Sequence, residues 1–260
     1  MKENEMTDNY HKNQDYFTRS YLAAFLKSPL HAKTQLEAEE TTTPALLFGQ
    51  AYHAMVAGTF HKDFTIMDEN ARPEPEKIMA STLNKTWRAE LESAGRPLIA
   101  GEDYRKMLQM LSMLESNEYV KRMNAFEYHQ EIAICAEIEG YKVKCKPDCI
   151  IKERGLLVDW KTTTELPVNE YQAERIIRKY NYHFQAAMYC EITEMDHFLF
   201  FFQEKSEPFD VVPVLIQKDS PLMQEGRDLW RYCAKLAIQC RKTGIYPGIA
   251  GQLTNNCLTL

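Results

Sequence analysis

The residues of this sequence whose types and spacing could do chemistry together are Lys146-Pro147-Asp148 and Val158-Asp159-Trp160-Lys161, with ten residues between Asp148 and Asp159. Asp159 and Lys161 are two apart, so on extended chain their side chains point to one face. Asp148 follows a proline that distorts its own segment. A three-residue turn at Glu153-Arg154-Gly155 would return Asp159 to the side of Asp148. The outcome is two carboxylates and an ammonium at one end of a hairpin. Hard oxygen ligands completed by water suit Mg²⁺ or Mn²⁺ better than zinc. A lysine beside them suits a site that orients an attacking water and offsets charge on a scissile phosphate. Taken alone, an Asp-x-Lys is more often a solvated pair contributing under about 1 kcal/mol.

The elements that must position these residues can be read from period and punctuation. Ser20–Lys27 is a short amphipathic helix stopped before Pro29, and Thr43-Pro44 opens a helix that runs to Gly58 through a capping hydroxyl and a proline at the first position. Glu74–Ala94 and Glu102–Met123 read as two further helices broken at Gly95-Arg96-Pro97, with Asn70–Pro75 as a mobile loop. The period then changes to short extended runs at Glu131–Ile138, Tyr141–Lys146, Cys149–Ile151 and Leu156–Trp160, separated by turn signals. A helical region over Asn169–Glu194, strands at His197–Gln203 and Val211–Ile216, and a helix from Ser220-Pro221 to Gly244 complete the chain. The expectation is an α/β (α+β) fold: one mixed central sheet, with an antiparallel hairpin, flanked by helices. A mainly helical region over residues 1–125 would precede a core over 126–250, all in one domain spanning 1–260.

Composition sets the outer limits. The 260 residues carry a formal charge of −6, which argues against coating nucleic acid through bulk charge but not against gripping it in a groove. Between Tyr141 and Gln185 the balance reverses, with nine Lys and Arg against six Asp and Glu. Lys144 and Lys146 alternate with Val143 and Cys145, either as a basic face for a phosphate backbone or as a solvated charged strand. The apolar runs fall well short of the roughly 20 residues of a membrane span, and Met1–Tyr16 lacks the apolar centre of a signal peptide. A cytoplasmic protein that does not engage membranes is expected, with its seven cysteines as reduced thiols.

With Asp148, Asp159 and Lys161 in this order, the chain resembles the PD-(D/E)XK nuclease superfamily. Two flanking segments sharpen the resemblance. Gly49-Gln50-Ala51-Tyr52-His53 resembles the G-x-x-x-H helix of the RecB-like branch, and Gln185-Ala186-Ala187-Met188-Tyr189 its Q-x-x-x-Y helix. The subgroup most similar in order and spacing is the phage RecE-like exonucleases (exodeoxyribonuclease VIII type), related to lambda exonuclease. The resemblance implies a restriction-endonuclease-like core. It also implies a Mg²⁺ or Mn²⁺ ion held by His53, Asp148, Asp159 and the backbone carbonyl of Trp160, with Lys161 positioning the water.

On the residues alone, His53 is more often a core histidine; the accompanying motifs favour the ligand role that the resemblance implies. Gln185 and Tyr189 share a helix face that either touches DNA and the catalytic carboxylates or simply packs on the sheet. A mid-helix glycine such as Gly49 costs about 1 kcal/mol against alanine, which makes sense if something must approach closely. Glu131 has a counterpart acid in many relatives, behind the ligands or on a second metal. Arg19 could meet a 5′-phosphate or be a solvated helix-end charge.

The resemblance further implies a processive 5′→3′ deoxyribonuclease acting on linear double-stranded DNA ends in phage-type recombination. Such enzymes form ring homo-oligomers (trimers or tetramers) and work beside a single-strand annealing protein. The alternatives are a structure-specific or restriction-type endonuclease with the same site, and a non-catalytic DNA-binding scaffold. An iron–sulfur cluster, found in some relatives, is not expected: no cysteine precedes Cys135, and Cys233, Cys240 and Cys257 lack the tight spacing.

Overall fold

A computed structural model describes residues 15–38 and 42–252. The chain opens with α1 (Arg19–Ala23), a 3₁₀ turn (Ala24–Leu26) and α2 (Pro29–Glu37). Ser28 caps α2 by accepting from the His31 N–H, with Pro29 in the first turn. Ser-Pro thus starts a helix here, where the sequence pattern suggests only a stop. Helix α3 (Pro44–Val56) begins as expected, Thr43 accepting from the Leu46 N–H. After α4 (Phe60–Asp63), strand β1 (Thr65–Met67) pairs in parallel with β2 (Leu98–Ala100), with α5 (Thr82–Ser93) between them.

The helix expected over Glu74–Ala94 therefore starts only at Thr82. Asn84, fully buried, donates to the carbonyls of Glu74, Lys77 and Ile78 and accepts from the Glu74 N–H, so its side chain satisfies a folded turn in place of a helical ladder. The stretch expected as a mobile loop contains a 3₁₀ turn (Glu69–Ala71) capped by Asp68, and Arg72 donates to the Pro75 carbonyl. The expected helix over Glu102–Met123 is two, α6 (Gly101–Ser116) and α7 (Glu118–Met123). Asn117 leaves helical geometry between them and caps the second.

Five strands make the central sheet in the order β3 (His129–Gln130), β6 (Cys149–Ile151), β7 (Leu156–Thr163), β8 (His197–Glu204), β9 (Val211–Gln217). Pairing is antiparallel except between β7 and β8, so the sheet is mixed. Strands β4 (Ile134–Ile138) and β5 (Tyr141–Cys145) form a separate hairpin rather than continuing the meander into this sheet. The reason is a long-range partner. The Phe17 N–H donates to the Lys142 carbonyl and the Lys144 N–H donates to the Phe17 carbonyl, so the N-terminal segment takes the free edge of β5. Pro147, without an N–H, then ends the ladder before β6.

The parallel step from β7 to β8 is made by α8 (Glu170–Lys179) and α9 (Tyr182–Thr193). The expected single helical region is split by Asn181 in the left-handed conformation, φ 53°, which asparagine tolerates. Helix α10 (Pro221–Thr243), capped by Ser220 and ended by Gly244, packs against α9. Their contact is close: a Cβ on Gly226 would lie 2.1 Å from the His183 carbonyl oxygen.

The core divides across the sheet. Leu157, Phe198, Phe200 and Phe202 face α9 and α10, with Phe184 and Trp230. Val158, Trp160 and Phe201 face α3 and α6, with Tyr52, Met107 and Met110. Strand alternation therefore leaves Asp159 and Lys161 on the α9 side of β7. Cys233 and Cys240 are buried on α10, and Cys257 lies outside the described residues.

Candidate active site

The β6–β7 hairpin closes through a 3₁₀ turn at Lys152–Arg154 and Gly155 at φ 56°. Its register pairs Cys149 with Val158, so one further step sets Asp148 opposite Asp159. Asp148 Oδ2 accepts a 2.9 Å hydrogen bond from the Trp160 N–H, which fixes the carboxylate across the strand end. The same oxygen lies 3.1 Å from Nδ1 of His53 on α3.

On β7 itself, Asp159 is 3% exposed. Gln185 on α9 donates from Nε2 to its Oδ1 at 2.5 Å, and Lys161 Nζ lies 2.6 Å from its Oδ2. The Lys161 ammonium sits 5.1 Å from the centre of the Tyr182 ring and 5.9 Å from that of Phe200. Three regions far apart in sequence thus converge on one part of the sheet: α3, the β6–β7 hairpin and the first turns of α9.

Electrostatics separate the two carboxylates. Burial presses both toward the neutral form. For Asp148 the His53 imidazole, Lys161 and the Trp160 N–H outweigh it and hold the carboxyl below its ordinary range. For Asp159 burial and the neighbouring Asp148 charge together outweigh Lys161, and its carboxyl is raised. Burial alone would lower His53, but Asp148 reverses this and raises it. Burial of the Tyr182 hydroxyl pushes it up to about 12.

This donor set suits a divalent cation: one imidazole, two carboxylates and an adjacent backbone carbonyl at Trp160. Asp159 Oδ2 is buried and, though the Lys161 ammonium touches it, takes no hydrogen bond of acceptable angle. It is an oxygen with spare acceptor capacity beside a second acid. As the side chains stand, among the described residues no three His, Cys, Asp or Glu groups are arranged to hold a metal. His53 and Asp148 face each other, and Lys161 covers Asp159.

The remaining expected residues separate. Glu131 follows β3 with φ 56°, its N–H donating to the Asp148 carbonyl at 3.3 Å and its carboxylate paired with Lys146. Both line a cleft of about 800 Å³ with Gly49, Gln50 and His53. A Cβ on Gly49 would meet only Thr162 Oγ1 at 4.0 Å, so no protein segment requires that glycine; it faces the open cleft.

Lys144 is 3% exposed on β5, inside the fold rather than on a basic face with Lys146, and burial lowers its ammonium pKa. Arg19 donates to the Tyr180 carbonyl at 3.2 Å and lines a separate cleft with Lys27 and Lys179. Tyr189, one turn beyond Gln185, packs toward Phe198 with ring centres 6.2 Å apart.

Sequence reasoning missed Tyr182 and Gln203. Gln203, 2% exposed on β8, accepts from the Tyr52 hydroxyl and donates to the carbonyls of Met110 and Phe209. It ties α3, and with it His53, to the sheet. A glutamine ending a run of phenylalanines was the available signal.

A mixed sheet flanked by helices, with paired acids and a lysine at one end, defines the PD-(D/E)XK class of fold. The chain belongs to the family described as DUF3799, a PDDEXK-like domain of unknown function, whose profile matches residues 18–257. It is similar to the solved structure of an inferred exonuclease from Eubacterium rectale, at 17% identity and TM-score 0.64, covering 93% of this chain and 88% of that one. Two weaker likenesses are a phage-related exonuclease from Haemophilus somnus 129PT (14% identity, TM-score 0.38, 64% and 85% covered) and an alkaline exonuclease from Laribacter hongkongensis (14%, 0.31, 75% and 98%). No curated protein matches the chain.

Proposed function

We propose that this chain is a metal-dependent deoxyribonuclease, an exonuclease acting on linear double-stranded DNA. The observation that carries the reading is the position of Asp159 between Lys161 and Gln185, opposite the His53–Asp148 pair. A packed fold has no evident use for a buried acid beside a second, half-buried one. A hydrolytic centre that must gather cationic charge at a phosphodiester does.

In this reading His53, Asp148, Asp159 and the Trp160 carbonyl hold Mg²⁺ or Mn²⁺. The ion would supply positive charge at the scissile phosphate and acidify a water. The chain's own groups do the rest. Gln185 fixes the Asp159 carboxylate through Oδ1. The Trp160 N–H fixes that of Asp148 through Oδ2. Lys161, steadied over the Tyr182 ring, is placed to orient the attacking water and to offset charge developing on the phosphate oxygens. Digestion from 5′ ends, a homo-oligomeric ring around the duplex, work in recombination and pairing with a single-strand annealing protein extend the same reading.

The test is to incubate linear duplex DNA and covalently closed circles with the protein in Mg²⁺ or Mn²⁺. Loss of the linear DNA alone is expected, and only with metal present. Nicking of the circle would replace the exonuclease with an endonuclease. Inertness toward both in either metal would leave a DNA-binding scaffold.

A further inference from the structure

The N-terminal half of α3 borders a second groove, of about 410 Å³, which the chemistry above does not use. Phe48, Lys106, Thr164 and Lys205 line it. Lys106 Nζ lies 5.6 Å from the centre of the Phe48 ring and Lys205 Nζ 6.0 Å from the same centre. Two ammonium groups are thereby drawn to one aromatic ring. Apart from these ring contacts, neither forms an ion pair or side-chain hydrogen bond among the described residues. Asp103 also lines the groove without reaching ion-pair distance of either lysine. Both ammonium groups are half-buried and, among the described residues, have no carboxylate at ion-pair distance, the arrangement expected where an external anion supplies the counter-charge.

The groove is also placed correctly. It shares Ala45 with the cleft that holds Gly49, His53 and Lys146, so the two openings adjoin along α3. From Phe48, which seats both lysines, to His53 is five residues of helix, roughly 7.5 Å at about 1.5 Å per residue. A duplex strand carries one phosphate per about 3.4 Å of axis, so this distance corresponds to roughly two nucleotides. Lys205 is held to the catalytic strand by its N–H, which donates to the Thr163 carbonyl at 3.0 Å.

We propose that Lys106 and Lys205, seated on Phe48, form a phosphate-gripping site that holds the DNA strand about two nucleotides from the scissile bond. The proposal rests on the deoxyribonuclease reading and adds to it where the substrate backbone runs: along the exposed flank of α3, from His53 past Gly49 and Ala45 to the lysine pair. The contact is with phosphate and carries no base preference.

The experiment measures binding of a fluorescent linear duplex in Ca²⁺ over a series of salt concentrations. It compares the wild-type chain, Lys106→Gln with Lys205→Gln, Lys106→Arg with Lys205→Arg, and a control pair, Lys85→Gln with Lys235→Gln. Glutamine keeps most of the stem over Phe48, and the arginine pair keeps the charge. The glutamine pair is expected to flatten the slope of log K against log salt by about 1.8, at about 0.9 for each phosphate no longer neutralised. The arginine pair and the control pair are expected to retain the wild-type slope. An unchanged slope in the glutamine pair, or an equal fall in the control pair, would overturn the site while leaving DNA binding intact. Absence of DNA binding by the wild-type chain would instead overturn the nuclease reading, and this site with it.

Discussion

On the proposed reading, Asp159 and His53 are where proton and cation would compete. Burial and the Asp148 charge raise the Asp159 carboxyl, and the Asp148 carboxylate raises His53. A cation held there would displace protons from both, so its affinity would increase as pH rises, and for His53 the rise would extend above the ordinary value of 6.5. Titration of Mg²⁺ or Mn²⁺ by calorimetry in buffers of different ionisation enthalpy should show net proton release, larger at pH 6.5 than at pH 8. Equal heats in all buffers would contradict the assignment of His53. In metal-free protein the raised His53 adds stability that is complete below its unfolded pKa and lost as pH rises through its folded one. Asp148, lowered, has the opposite sign: its contribution is present above its unfolded pKa and disappears as pH falls through the folded one. A cation at about 100 times its dissociation constant would add about 2.7 kcal/mol to the fold. Thermal unfolding should therefore shift upward with metal, and Asp159→Asn should abolish the shift.

Among the elements, α3 shows most clearly what the sequence could and could not reveal. Its start at Thr43-Pro44 and the face shared by Gly49 and His53 were legible, because capping chemistry and helical period are local. The purpose of Gly49 was not. The sequence suggested that something approaches it, and the structure places only Thr162 Oγ1 at 4.0 Å, with the cleft beyond. Gly49→Ala should therefore stabilise the helix by about 1 kcal/mol while lowering kcat/KM on DNA. A rise in Tm with full activity would mean that the substrate does not pass that face. Gly226 behaves oppositely: a methyl would collide with the His183 carbonyl at 2.1 Å. Gly226→Ala should cost on the order of 1–3 kcal/mol, lower Tm, and loosen the helix that carries Gln185. Misreadings arose where tertiary partners override local pattern. Asn84 unwinds the turn before α5, and Phe17 captures the edge of β5 and draws Lys144 inward. Phe17 is far in sequence from the strand it captures, and Asn84 acts through side-chain bonds that helical period does not encode.

At the scale of the molecule, the mixed sheet does one thing for the site that no single element could. It places β7 between an antiparallel neighbour that returns Asp148 and a parallel neighbour whose connecting helix returns Gln185. The strand period, the turn at Gly155 and the order of elements made this arrangement legible, because the motifs fix which segments must meet. Gln203 was not legible, since its partners Tyr52, Met110 and Phe209 come from three separate segments. The chain is acidic overall, −6, so any hold on DNA must come from local grooves rather than from its net charge. Among the described residues no helix is long and apolar enough to cross a membrane.

The central claim is that this sheet end hydrolyses phosphodiesters with Lys161 at the reacting group. Single-turnover cleavage of end-labelled linear duplex by wild type and Lys161→Ala, with metal affinity measured on the same samples, tests it most directly. The account predicts a loss of about 10²–10³ in rate, the scale for removing one preorganised donor, with metal still bound. Cleavage at the wild-type rate by Lys161→Ala would contradict it.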